Sequence, residues 1–154
     1  MQRKSIETVA TRKTAAQVIA GILLLLCGIG IYLLFRSETI RLNQWFSAIG
    51  HSETVDILRQ GVQQWNVPEF VKFSLPDGLY CASYILLMDA VWHKSRTWPR
   101  IAASSAMPLV AIGHELLQGA GLARGTFDWC DLLSYALPLV AYLLLITKKK
   151  TKTH

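Results

Sequence analysis

The sequence predicts an all-α, polytopic membrane protein: four transmembrane helices, with an outer amphipathic helix or loop between spans one and two. Three observations lead there. The 154 residues are 52% hydrophobic, with a mean hydropathy of +0.32, an apolar balance unusual for a small soluble domain. The apolar residues gather in long runs. The basic residues gather at the two ends and in one short linker. The net charge of +6 therefore reads as membrane topology. A nucleic-acid binder would instead show a basic stripe interleaved with base-stacking aromatics. Length permits a single domain spanning 1–154.

Span one, 15–35 (AAQVIAGILLLLCGIGIYLLF), carries no charge. It is long enough to cross the ~30 Å hydrocarbon core as a helix and longer than a typical signal-peptide core. No small-x-small cleavage site follows it, so it reads as a retained anchor. Residues 36–74 are too polar for a span, with Arg36, Glu38, Arg41, Glu53, Asp56, Arg59, Glu69 and Lys72. Within them Val55, Leu58, Val62 and Trp65 recur at helical spacing. That predicts an amphipathic helix on the membrane surface or over the bundle, ended by Pro68. Span two is 75–92, with Asp77 and Asp89 towards its ends. Span three is 101–122 and span four 128–146, with Pro108 and Pro138 inside them, each expected to kink its helix.

Lysine and arginine placement sets the orientation. Arg3, Lys4, Arg12 and Lys13 precede span one, Lys94, Arg96 and Arg100 lie between spans two and three, and Lys148, Lys149, Lys150 and Lys152 follow span four. Four spans put all three groups on one side, and the positive-inside rule makes that side, with both termini, cytoplasmic. Trp92 and Trp98 then fall at the inner boundary, a preferred place for tryptophan.

The stretch HELLQGAGLARGTFDWCDLLSY (114–135) places polar groups where lipid should be. Counting from the cytoplasmic border, Asp77, Glu115 and Asp131 each lie about 21–23 Å deep at 1.5 Å per residue. Three acids from three helices would share one level near the outer surface. Glu115 and Gln118 share a helix face, as do Asp128 and Asp131. Asp128 is placed to cap span four. Gly119, Gly121 and Gly125 permit a tight connection, and Arg124 within it has the reach to meet the carboxylates. An ionisable residue inside a membrane costs about 2.5–3.5 kcal/mol at a helix centre and is a functional-site hypothesis by default. The competing reading is structural: Asp128 as a cap and Arg124 as a tie, with no ligand.

Other chemistries find little footing. His114 points about 100° away from Glu115 around the helix, and HE without a second histidine at helical spacing is not a zinc motif. No metal or other cofactor is implied. Ser83, Ser104 and Ser105 lack a nucleophile elbow. Cys27, Cys81 and Cys130 show no metal or disulfide spacing, although Cys81 and Cys130 both fall towards the outer side.

Glu115-x-x-Gln118, then Arg124, then Asp128-x-x-Asp131 at the head of the next helix resembles the signature of VanZ-like membrane proteins. Leu75-Pro76-Asp77 is similar to that family's first acidic position. The resemblance covers 72–146. Gly78, Cys81, Tyr135 and Pro138 stand where the family carries Lys, His, Asn and Gly, which marks a divergent branch. The resemblance implies the bacterial cytoplasmic membrane and a link to glycopeptide, especially teicoplanin, susceptibility. The expected site is an outer-leaflet polar cleft of Asp77, Glu115, Gln118, Arg124, Asp128 and Asp131. Its expected partners are membrane lipids, a lipid-linked envelope precursor or a lipoglycopeptide. Two alternatives stand beside it: an intramembrane enzyme acting on a lipid head group with Glu115 or Asp131 as general base, and a structural or partner-binding bundle.

Overall fold

The computed structural model describes residues 2–35 and 52–151. Five helices account for nearly all of them, with no strand among the described residues: α1 (Gln2–Phe35), α2 (Ser52–Gln63), α3 (Glu69–Val91), α4 (Thr97–Gly119) and α5 (Trp129–Thr151). Residues 36–51 of the predicted outer segment lie outside the described residues.

Four long helices run antiparallel in chain order. Pairings fix this at both ends of the bundle. Gly21 of α1 meets Leu87 and Ser83 of α3, whereas Gly28 meets Tyr80 and Pro76. Tyr142 of α5 reaches Asp89 of α3, whereas Tyr135 reaches Asp77. The α1–α3 seam is close because Gly21 and Gly28, two turns apart on one face, present no side chain. A Cβ on Gly28 would sit 3.2 Å from Tyr80. Small residues at such seams let backbones approach, the usual device where lipid removes the hydrophobic drive between helices. The Ser83 hydroxyl crosses the same seam and donates to the Gly21 carbonyl at 2.8 Å.

The buried core is small: Cys81 and Ile85 of α3 against Leu139 and Tyr142 of α5, with Ile112 of α4 beside them. Far more apolar surface points outward. Ile19, Ile22, Leu23 and Leu26 of α1, Leu109 and Val110 of α4, and Leu133, Leu137, Val140, Leu144 and Leu145 of α5 are all exposed. Apolar exposure on this scale marks a lipid or protein contact surface. Two stretches, Thr11–Phe35 and Trp129–Lys148, are long and apolar enough to cross a membrane. At 23 residues each, α3 and α4 match the length of a span, ~34 Å at 1.5 Å per residue. They do not match its composition, because Asp77, Asp89, Arg100 and Glu115 lie within them.

Boundaries differ from the sequence expectation in three places. Helix α1 starts at Gln2, well before the apolar run. Helix α2 ends at Gln63, so Trp65 lies beyond it in the turn. Pro68 does not end α2; it precedes the first turn of α3, a position that tolerates the missing N–H, and residues 69–74 are helical. On α2 the side chain turned inward is Arg59, which donates to the Leu33 carbonyl at 2.8 Å. Ile57, Leu58 and Trp65 face outward.

Candidate functional site

The connection between α4 and α5 builds one end of the bundle. Helix α4 closes with a Schellman arrangement: Gly121 N–H donates to the Gln118 carbonyl at 3.0 Å and Leu122 N–H to the Leu117 carbonyl at 2.8 Å. This needs a left-handed residue after the cap, supplied by Gly121 at φ +72°. Gly125, at φ +128°, turns the chain back under Gln118, whose amide donates to the Arg124 carbonyl at 3.1 Å. Phe127 packs over Gly119 and edge-on against Trp129 at 4.9 Å.

The connection delivers its acids to the start of α5. Asp128 accepts from the Cys130 N–H at 2.8 Å, the side-chain cap expected of an aspartate one residue before a helix. Buried Glu115, 4% exposed, accepts the Asp128 N–H at 2.7 Å. Asp131 occupies the first turn of the same helix. All three carboxylates therefore gather at the positive end of the α5 dipole, which favours negative charge there. Asp77 of α3 accepts from the Tyr135 hydroxyl at 3.2 Å. Asp131 Oδ1 is buried without a hydrogen-bond partner.

Asp77 of α3 thus meets Tyr135 of α5, and Glu115 of α4 meets the Asp128 backbone at the start of α5, where Asp131 also lies, so acids from three helices stand at one end of the bundle. Asp128 belongs to the cap and Gln118 to the turn. The Arg124 side chain is exposed, and its carbonyl makes the contact with Gln118. His114 Nδ1 lies 3.2 Å from the Gln118 amide nitrogen. Cys81 is buried and free, its thiol donating to the Tyr135 carbonyl at 3.5 Å, and Cys130 is exposed and free. Among the described residues no three His, Cys, Asp or Glu groups stand close enough to share one metal ion.

A second polar centre lies at the opposite end, and sequence reasoning missed it. Asp89, 5% exposed, is held by both nitrogens of an Arg100 fork, by the Gln17 amide at 2.7 Å and by the Tyr142 hydroxyl at 2.9 Å. One carboxylate ties α1, α3, α4 and α5 together. A signal was present. Asp89 falls in the last turn of its helix, where the dipole disfavours an anion, so a buried acid there requires a cation.

No family model, curated protein or solved structure matches the chain.

Proposed function

We propose that this chain is a VanZ-like multi-pass protein of the bacterial cytoplasmic membrane, both termini cytoplasmic. In this reading its outer end binds the head group of a lipid or lipid-linked envelope precursor. The observation that carries this reading is a buried carboxylate oxygen of Asp131 left unsatisfied, at the same end of the bundle as buried Glu115 and the Asp77–Tyr135 pair. An unsatisfied buried acceptor costs about 1–3 kcal/mol, and a ligand hydroxyl or ammonium would relieve that cost. Arg124, exposed at the rim, would meet a phosphate or carboxylate. Exposed apolar side chains on α1, α4 and α5 support burial in lipid, and α3 and α4 cross the membrane by hiding their acids against neighbours. Binding a lipoglycopeptide or its target would connect the cleft to teicoplanin susceptibility.

The test uses purified chain titrated with envelope lipids and a lipid-linked precursor, and cells scored for teicoplanin susceptibility at matched protein level. Asp131→Asn and Arg124→Ala should each weaken binding about tenfold, the equivalent of one charge-assisted contact of about 1.4 kcal/mol. Unchanged binding in both variants defeats the reading.

One observation favours a second reading, a bundle locked by its own polar groups: Glu115 is already engaged by the Asp128 backbone. If that were its whole role, Glu115→Gln would lower stability, and any phenotype would track protein level alone. Lipid turnover abolished by Asp131→Asn would instead point to an intramembrane enzyme with a carboxylate base.

A further inference from the structure

Away from the acid cluster, at the end of the bundle where Asp89 and Arg100 meet, a groove of about 480 Å³ opens between α1 and the α3–α4 connection. Its apolar lining is Ala15, Val18 and Ile19; its polar lining is Thr11, Thr14, His93 and Lys94. The apolar lining runs on without a break into the exposed apolar face of α1, through Ile19, Ile22, Leu23 and Leu26. The polar lining is cationic. Lys94 is exposed, and Arg12 and Lys13 lie exposed on the adjoining turn of α1. The His93 ring is fixed with Nδ1 2.8 Å from the Ala90 carbonyl oxygen, so Nδ1–H donates there and Nε2 is uncommitted. Exposed Trp92 and Trp98 flank the connection at the level where tryptophan prefers the membrane interface.

An apolar lining leading into a lipid-facing helix, beside positive charge and hydroxyls, complements one kind of molecule. We propose that this groove seats an anionic glycerophospholipid, with its phosphate at Lys94 and its acyl chains along α1. The site is distinct from the outer cleft and rests only on α1 crossing the membrane. Charge complementarity selects an anionic head group, because a lysine near an anionic surface contributes attraction that a zwitterionic lipid does not match.

The full chain in detergent micelles is titrated with phosphatidylglycerol or phosphatidylcholine, and adducts are counted by native mass spectrometry. Phosphatidylglycerol should bind in preference. Lys94→Glu should weaken it roughly tenfold, and Ala15→Trp, which fills the groove from an exposed position without changing charge, should do the same. Lys148→Glu, a charge reversal at the same end on α5, should change binding less than about twofold. Equal losses in Lys94→Glu and Lys148→Glu would reduce the effect to diffuse attraction and overturn the site. So would wild-type binding in Ala15→Trp, competition by inorganic phosphate as strong as by lipid, or a lipid-free dimer that Ala15→Trp dissociates. Alkaline extraction of membranes keeps the two levels apart: a chain released by it fails as a membrane protein, while a retained chain with a negative titration loses the groove alone.

Discussion

Asp89 is the residue on which the most depends. It is buried, charged and served by four hydrogen bonds from three other helices. Removing one partner of a buried pair leaves the other charge uncompensated, a loss of about 3–5 kcal/mol. The Arg100 side chain keeps 23% exposure, so Asp89→Asn should fall at the low end, about 3 kcal/mol. Arg100→Gln should cost more, because it leaves the more deeply buried charge, Asp89, without its cation. Unfolding midpoints in mild detergent measure both, and the double variant should lose less than the sum of the two. Glu115→Gln should be mild by comparison, since its amide oxygen can still accept the Asp128 N–H. Asp77, Glu115 and Asp131 were legible in the sequence because counting along helices puts them at one depth. Tyr135, which donates to Asp77, was not legible: a tyrosine in an apolar run looks like any interfacial aromatic. Gln17, Asp89, Arg100 and Tyr142 were hidden because four separate elements contribute them, and no spacing rule spans such distances.

At the level of elements, helix identity followed the pattern of apolar runs, while helix ends followed chemistry that the pattern does not carry. Pro68 looks like a stop after α2, yet backbone geometry makes it the residue before α3. The apolar spacing of Val55, Leu58, Val62 and Trp65 predicts an amphipathic helix on the membrane surface or over the bundle; Leu58 and Trp65 are exposed, and Arg59 bonds the last turn of α1. Arg59→Ala should therefore free α2 while leaving the bundle intact. Amide exchange should accelerate across 52–63 and stay unchanged in α3 to α5; acceleration throughout would mean that α2 supports the core. The α4–α5 connection is more constrained. A Cβ on Gly125 would need a positive φ and would collide with the Gln118 amide. Gly125→Ala should thus destabilise by about 1–3 kcal/mol and open the turn. Gly30→Ala serves as its control in the same unfolding measurement, because a Cβ there meets nothing within 4 Å.

The whole molecule has two unlike ends. At one lie Arg12, Lys13, Lys94, Arg96, Arg100 and Lys148, with the single acid Asp89; at the other lie Asp77, Glu115, Asp128 and Asp131, with Arg59, Lys72 and Arg124 among them, and the antiparallel course of α1, α3, α4 and α5 makes this arrangement. If the bundle spans the membrane, the positive-inside rule assigns the first end to the cytoplasm, and the native cysteines report the result. Cys130 is exposed at the acidic end, Cys81 is buried, and Cys27 is exposed on the apolar face of α1, where lipid would shield it. In intact cells a membrane-impermeant maleimide should therefore label the unmodified chain at Cys130, and Cys130→Ser should abolish labelling. Adding Lys94→Cys to Cys130→Ser should restore it only after the cells are permeabilised. Labelling of both positions from one side would mean that the two ends share a compartment. The acid cluster would then have no separate outer face at which to meet a ligand, and the sorting of charge would have to arise from the folding of a bundle that does not cross the bilayer. Labelling on opposite sides leaves α3 and α4 no course but through the membrane, with their acids turned inward onto Tyr135 and Arg100.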